Sequence, residues 1–526
     1  MSRFKRAFHN AVSSWAVLGT ATAHTLVSVP LALHYLSKER FALWALMSSI
    51  SAYMSLIDLG MSGSVSRLLI DHKDERLKSN YGSLIQTGWL VLTLQGLLLL
   101  VCSFGLAPFL ATALDIPSGL ESDFIALMRW QGVTMALNFT KGILAHILYA
   151  HQRSDLNNYV QVASLVASLG SMWWLFHAGY GVFSLVWAGL VAASVIAVGH
   201  WVACWLLKLF PAPGCWGRPS SEAFRELFVF GKDLFLVSVG GMLLQASQTL
   251  IITRRLGLEL AAVWAVGTKA YSLVVQLIWR TSDSAGPGFG EMLARREETA
   301  LLNRYRMVVM LSASLAAFCA VSYVLCNSPF VTIWTAGKNN IVWNPGYDLL
   351  LGACLIVSTV VHSHTCFIGI TKRLHFLRYI FFIEGLVFIL TALLVARRWQ
   401  LFGIISASLL CSIVFTGIYT TFRIMRFFHL SLRDVAWEWF IPMRAFLWRA
   451  TIVGLALWYI TYSFSPLVRL LVHAMFSATL VLLLLARYGV PTSFQEELLR
   501  RAPLRATRVL GWLFGSSRCV PQPKLT

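Results

Sequence analysis

Long apolar runs, separated by short charged or Gly/Pro-containing breaks, succeed one another along almost the whole chain. Measured against the ~20 residues a helix needs to cross a hydrocarbon core, they predict fourteen membrane-spanning helices. Their ranges are 11–35, 41–65, 80–107, 123–150, 158–177, 183–207, 226–253, 259–282, 303–335, 346–370, 375–396, 402–424, 445–464 and 466–488. An even number puts both termini on one side, and Lys and Arg choose that side. With a cytoplasmic N-terminus, the cytoplasmic segments and adjoining helix ends hold 32 of the 43 Lys and Arg, the opposite face 8, and 3 fall within spans. Lys/Arg-rich short loops stay inside, so both termini are expected in the cytoplasm. The basic start at Arg3, Lys5 and Arg6 has the charge of a signal peptide. The apolar run after it is too long for one and a second span follows at once, so it reads as an uncleaved first helix.

Composition agrees with this pattern. Apolar residues make up 57% and charged residues 13% of 526, against a usual ~45–50% and ~25%. That leaves too little polar surface for a water-soluble fold. The fold class expected is an all-α polytopic membrane protein. The net charge of +20 does not point to nucleic acid, because the basic residues sit in short segments between spans and form no stripe with stacking aromatics. Nine Cys include no CxxC pair, and most lie within apolar runs, as small apolar filler does.

Several chemistries are missing. No GxxxxGK[ST] occurs, so the chain brings no P-loop. The longest loop expected outside, roughly 108–123, has no Lys or Arg. A membrane glycosyltransferase or polysaccharide polymerase would need more external acidic and basic groups than that. Asn138-Phe139-Thr140 has the glycosylation pattern but lies inside a span. His362, His364 and Cys366 suggest a metal, yet residues two apart on a helix face different ways, so they read as packed side chains. No enzymatic activity and no metal are expected.

At an offset of 220 the chain matches itself weakly. Leu36, Glu39, Ala42, Trp44 and Ala45 correspond to Leu256, Glu259, Ala262, Trp264 and Ala265. This predicts two six-helix lobes as parallel repeats, residues 1–210 and 226–430, with a linker at 211–225. A hairpin at 431–488 and a basic amphipathic tail at 489–526 complete the division. Transporters commonly rock such halves around a central site. The stretch Ser282–Gly290, SDSAGPGFG, is expected to break the end of span 8, as a hinge or as a plain terminus. The tail from Glu496 to Phe514 alternates Arg with Leu, Val and Trp, the pattern of a helix lying on anionic lipid.

Ionisable residues inside spans mark functional sites. Lys269 and Glu384 fall near the midplane, Arg129 in the outer third of its span, and Lys141 and Asp58 in the inner thirds of theirs. Lys269 and Glu384 could pair as a buried stitch, and Lys141 could reach the interface. Alternatively the five line an aqueous cavity of net positive character, suited to an anionic headgroup. A phosphate or pyrophosphate would cost on the order of tens of kcal/mol to move unpaired through hydrocarbon.

The stretch Phe41–Leu69, FALWALMSSISAYMSLIDLGMSGSVSRLL, resembles the second helix of the polysaccharide flippases of the Wzx/PST type, in the MATE-like multidrug/oligosaccharidyl-lipid/polysaccharide superfamily. Gly142–Asn158, Phe230–Gly288 and the turn at residues 334–337 are similar in layout to that family, and the resemblance covers roughly 10–430. It implies a flippase that carries undecaprenyl-pyrophosphate-linked oligosaccharide across the bacterial inner membrane for O-antigen, capsule or exopolysaccharide export. Arg129, Lys141, Lys269 and Arg280 would then hold the anionic headgroup. Asp58 or Glu384 would carry a coupling proton or sodium ion, with no other cofactor. The expected partners are membrane lipid, the polyprenyl-pyrophosphate-linked glycan, and polymerase and chain-length proteins of the same pathway. The alternatives are a MATE-type small-molecule antiporter, a polysaccharide polymerase or ligase, and a scaffold for glycan assembly.

Overall fold

The computed structural model describes residues 3–72, 79–151, 153–335, 341–371, 376–501 and 504–514. Every regular element among them is helical. Each of the fourteen expected ranges falls largely on helix among the described residues. By length and apolarity ten helices among the described residues qualify to cross a membrane, eleven if one bent pair is counted as a span. The gap to fourteen falls at three places. The helices α5 (Ser118–Ala150) and α8 (Ser221–Leu256) are not among the ten; in α5, Arg129 and Lys141 interrupt the apolar run. Spans 11 and 12 run together as one stretch from Leu377 to Phe428, bent where Gln400 leaves helical geometry at φ 46° and ψ −133°. Large apolar side chains stand fully outward, among them Leu394 and Tyr459 at 80% exposure. In water such a surface would drive aggregation, and in lipid it needs no cover. The chain is a multi-pass membrane protein.

The chain forms two compact units. The first comprises Met1–Val266, Lys338–Asn340 and Phe381–Arg397. Its helices are α1 (Arg3–Tyr35), α2 (Lys38–Met54), α3 (Met61–His72), α4 (Ser79–Ala113), α5, α6 (Ser154–His177), α7 (Phe183–Leu206), α8, most of α9 (Leu258–Gly267) and the middle of α13 (Leu377–Ser412). Met61, Val65, Leu69, Leu92, Ile147, Cys204 and Leu227 meet in its core, so α3, α4, α5, α7 and α8 share one buried cluster. Gly82 on α4 makes room for the backbone of Cys215 and Trp216. Beside it Ser83 Oγ donates to the carbonyl of Arg218 at 2.6 Å, and Thr87 Oγ1 accepts from Ser220 N at 3.0 Å. The Pro-rich segment before α8 is thus pinned along α4.

The second unit comprises Gly267–Gly337, Ile341–Ile380 and Arg398–Thr526. It contains α10 (Lys269–Ala294), α11 (Glu298–Trp334), α12 (Pro345–Ile370), both ends of α13, α14 (Ile418–Phe428), α15 (Leu432–Ala436) and α16 (Ile441–Ile460). After them come α17 (Pro466–Phe476) and α18 (Leu482–Leu484), the latter flanked by π-turns, and then α19 (Thr492–Arg501) and α20 (Leu504–Phe514). Ala317, Val321 and Leu325 of α11 pack on Phe446 and Ala450 of α16 and on Val481 and Leu485. His473 is buried between Thr461 Oγ1 at 2.8 Å and the carbonyl of Leu325 at 2.7 Å. Hydroxyls link α10, α11 and α12: Thr281 meets Ser312 at 2.8 Å, and Ser282 meets Ser363 at 2.7 Å. Such bonds hold helices together where lipid gives no hydrophobic drive.

Three expectations are corrected. Span 2 is interrupted, by a 3-10 turn at Ser55–Asp58 followed by Leu59 and Gly60 at φ 49° and 75°. Span 8 is not broken at Ser282–Gly290, because α10 runs through that stretch; its interruption falls at Thr268, between α9 and α10. The outer loop at 108–123 is mostly helix, since α4 ends at Ala113 and α5 starts at Ser118. The tail is helical over 492–501 and 504–514, and residues 502 and 503 lie outside the described residues. In the turn at 334–337, residues 336 and 337 lie outside the described residues.

Candidate functional site

Asp58 sits where span 2 breaks, and local chemistry accounts for the break. Leu59 adopts left-handed geometry and Gly60 follows with positive φ, which reverses the helical path over two residues. The Asp58 carboxylate then caps the next helix: Ser62 N donates to Oδ1 at 3.1 Å and Ser62 Oγ at 2.6 Å. A side-chain acceptor at that position satisfies one of the orphan amides of a helix start. From α4, Gln95 Nε2 donates to the carbonyls of Ile57 at 2.8 Å and Asp58 at 3.2 Å. Backbone that lost its helical partners is therefore re-bonded by a side chain, as lipid-embedded breaks require.

The break opens on a cavity of about 370 Å³ lined by Ser55, Asp58, Ser62, Phe139, Phe235 and Met242, among others. A second cavity of about 190 Å³ is lined by Ser66, His146, Tyr149, Ser154 and Asn157. Ser62, which bonds Asp58, and Ser66 stand four residues apart on α3 and so share one helical face. Ser66 Oγ bonds His146 Nδ1 at 2.7 Å. A polar row thus runs from the carboxylate in the first cavity to the imidazole in the second.

Glu384 is 2% exposed and lies where α13 crosses α8. The neighbouring Gly385 faces Leu243 and the carbonyl of Gly240, and Gly240 itself faces the backbone of Phe381. Asp58 and Glu384 therefore flank the same stretch of α8, which gives Phe235 and Met242 to the Asp58 cavity and Gly240 and Leu243 to the Glu384 crossing. One turn further, Ser247 of α8 bonds Tyr53 of α2, and Arg254 at the helix end pairs with Asp115.

The cations are distributed over both units. Arg129 on α5 is exposed and lies 5.5 Å above the Phe104 ring of α4. Lys141, half-buried, stands two residues beyond Phe139 of the Asp58 cavity. Lys269 and Arg280 belong to the second unit; both are partly buried, on α10. Lys269 is the first residue of α10, where the positive end of the helix dipole adds to its charge. His362 and His364 go to separate partners: His362 stacks on Trp279 at 4.2 Å and meets Asp283 at 2.8 Å, whereas His364 bonds Tyr305 at 2.5 Å.

Sequence reasoning missed Gln95, Ser62, Ser66 and His146. The four-residue spacing of Asp58, Ser62 and Ser66 is visible in the sequence, but the bonds to Gln95 and His146 span 37 and 80 positions.

Comparison with known proteins follows the same lines. No curated protein matches the chain by sequence. Among solved structures, the lipid II flippase MurJ in an inward closed conformation superposes with a TM-score of 0.67 at 12% identity, over 93% of this chain and 99% of that one. An inward-facing multidrug resistance MATE transporter of the MOP superfamily gives 0.65 at 12%, over 77% and 95%. A MOP superfamily transporter from Pyrococcus furiosus, described as having a binding pocket of reverse polarity, gives 0.54 at 13%, over 81% and 97%. The fold is that of the MATE-like transporters. A family model described as polysaccharide biosynthesis protein matches residues 34–338, more than half of the chain, and the chain belongs to that family.

Proposed function

We propose that this protein flips a polyprenyl-pyrophosphate-linked oligosaccharide from the cytoplasmic to the periplasmic leaflet of the bacterial inner membrane, by alternating access driven by an ion gradient. The observation that carries the reading is the pair of broken spans in a chain of the polysaccharide biosynthesis family, with a carboxylate at one break and a lysine at the other. Helix starts inside a membrane are natural anion sites, because unpaired amides and the dipole face the ligand. Lys269 at the start of α10 suits a pyrophosphate, with Arg280, Lys141 and Arg129 as further partners. Asp58, in a cavity and bonded to Ser62 one turn from the Ser66–His146 pair, suits a coupling proton or sodium ion, with Glu384 as the second acid. The glycan would cross in a hydrated environment while the polyprenyl tail stays in lipid.

The second reading is a MATE-type small-molecule antiporter. Membership of the polysaccharide biosynthesis family favours the lipid-linked substrate. The test is translocation of a labelled undecaprenyl-pyrophosphate oligosaccharide in proteoliposomes, with and without an imposed pH or sodium gradient. Protein-dependent, gradient-sensitive flipping is expected. Lys269→Ala should lower the rate well below that of Lys269→Arg. Absence of flipping by folded protein with its native lipid-linked glycan would turn the reading to the antiporter.

A further inference from the structure

At the break between α9 and α10 the freed carbonyl of Gly267 accepts from Tyr323 OH at 3.3 Å and from Asn327 Nδ2 at 3.1 Å. The same amide donates to Tyr323 OH at 3.0 Å and to Asp348 Oδ1 at 2.8 Å. Trp343 Nε1 donates to that Oδ1 at 2.7 Å, and its ring occupies the space a side chain at 267 would need. Asp348 is fully buried and Asn327 is 2% exposed.

The hydrogens available are one from Trp343, two from Asn327 and one from Tyr323, and all point at Gly267, Tyr323 or Asp348 Oδ1. Asp348 Oδ2 and Asn327 Oδ1 receive none and are shut off from solvent. Leaving a buried acceptor empty costs about 1–3 kcal/mol, more for a charged one. These two lie on either side of a single 2.8 Å hydrogen bond, beside the C-terminal end of α9, where the helix dipole is negative. What the cluster lacks is a positive centre.

We propose that this cluster binds a dehydrated monovalent cation, Na+, between the Asp348 carboxylate and the Asn327 amide oxygen at the broken end of α9. One carboxylate balances one positive charge, and an all-oxygen donor set beside a half-helix end is how membrane transporters hold Na+. The site is distinct from Asp58 and Glu384 and stands whatever the protein carries, because binding is read on the resting protein. The competing occupant is the ammonium of Lys269, two residues past Gly267.

The test uses the full-length protein in detergent. Thermal unfolding is followed with a thiol-reactive dye that reads the buried Cys204 and Cys411, while NaCl replaces choline chloride at constant ionic strength. Na+ should raise Tm by a few degrees with saturation. Asp348→Asn should abolish the rise, Asn327→Leu should weaken it, and Glu497→Gln and Lys269→Met should keep it. Equal Tm in NaCl and choline overturns the proposal, as does a rise that survives Asp348→Asn. So does a rise seen only in Lys269→Met, which would assign the site to the lysine, or a dependence on pH with none on Na+. Should Asp348→Asn fail to fold, equilibrium binding of radioactive Na+ to wild type and Asn327→Leu decides: saturable binding weakened by the substitution supports the site, and no saturable binding ends it.

Discussion

Asp58 performs two tasks that substitution can separate. Its carboxylate caps α3 through Ser62, and in the proposed mechanism its charge takes part in coupling. Asp58→Asn keeps an acceptor for the cap, so Tm should hardly move while gradient dependence of flipping is lost. Asp58→Ala should lose both, with about 1 kcal/mol of stability removed with the cap; thermal melts and proteoliposome flux measured on the same preparations check this. Leu59 beside it is a non-glycine residue at φ 49°. Leu59→Gly should relieve about 1 kcal/mol of left-handed strain, and a raised melting temperature is the expected result. The residue pattern disclosed Asp58 as an ionisable group within a span, and the Leu-Asp-Leu-Gly order disclosed a family turn. It did not disclose that the turn breaks the helix, because the flanking residues keep helical apolar spacing on both sides of it. Nor did it single out Asn327 and Asp348, since their significance lies in which hydrogens reach them.

At the scale of elements, α8 touches both acid sites, and its glycine is what lets α13 come close. A Cβ on Gly385 would run into Leu243, and one on Gly240 into the backbone of Phe381. Gly385→Val should therefore push the crossing apart at a cost of about 1–3 kcal/mol, seen as a lower Tm and reduced yield of folded protein. Most of the spans were legible because apolar length alone identifies a membrane helix. The breaks were not. SDSAGPGFG carries the helix breakers yet stays helical, whereas the interruption of span 8 falls at Gly267-Thr268, where Asn327 and Tyr323 of α11 bond the Gly267 carbonyl and Trp343, from the segment before α12, packs on Gly267. At the two matching stretches α2 begins at Lys38 and α9 at Leu258, and each is followed by an interruption of its span.

For the whole molecule, the bias of 32 basic residues over 8 makes a direct claim about orientation. A C-terminal green fluorescent protein fusion should fluoresce, and a C-terminal alkaline phosphatase fusion should be silent. The reverse pattern would invert every side assigned in the proposed mechanism. The tail is not an independent appendage: Arg304 of α11 pairs with Glu497 of α19 at 2.9 Å. Arg254 and Asp115, at 46% and 63% exposure, should add little to stability, so Arg254→Ala is expected to leave Tm nearly unchanged.

The packing of α16 and α17 against α11 also dictates an order of manufacture. A ribosome finishes α11 at Trp334 long before it reaches Ile441, so Ala317, Val321 and the Leu325 carbonyl wait in the bilayer for partners not yet translated. A chain stopped after Phe440 should reach the membrane and then be cleared by quality-control proteolysis. Supplying residues 441–526 as a separate polypeptide should restore its steady-state level.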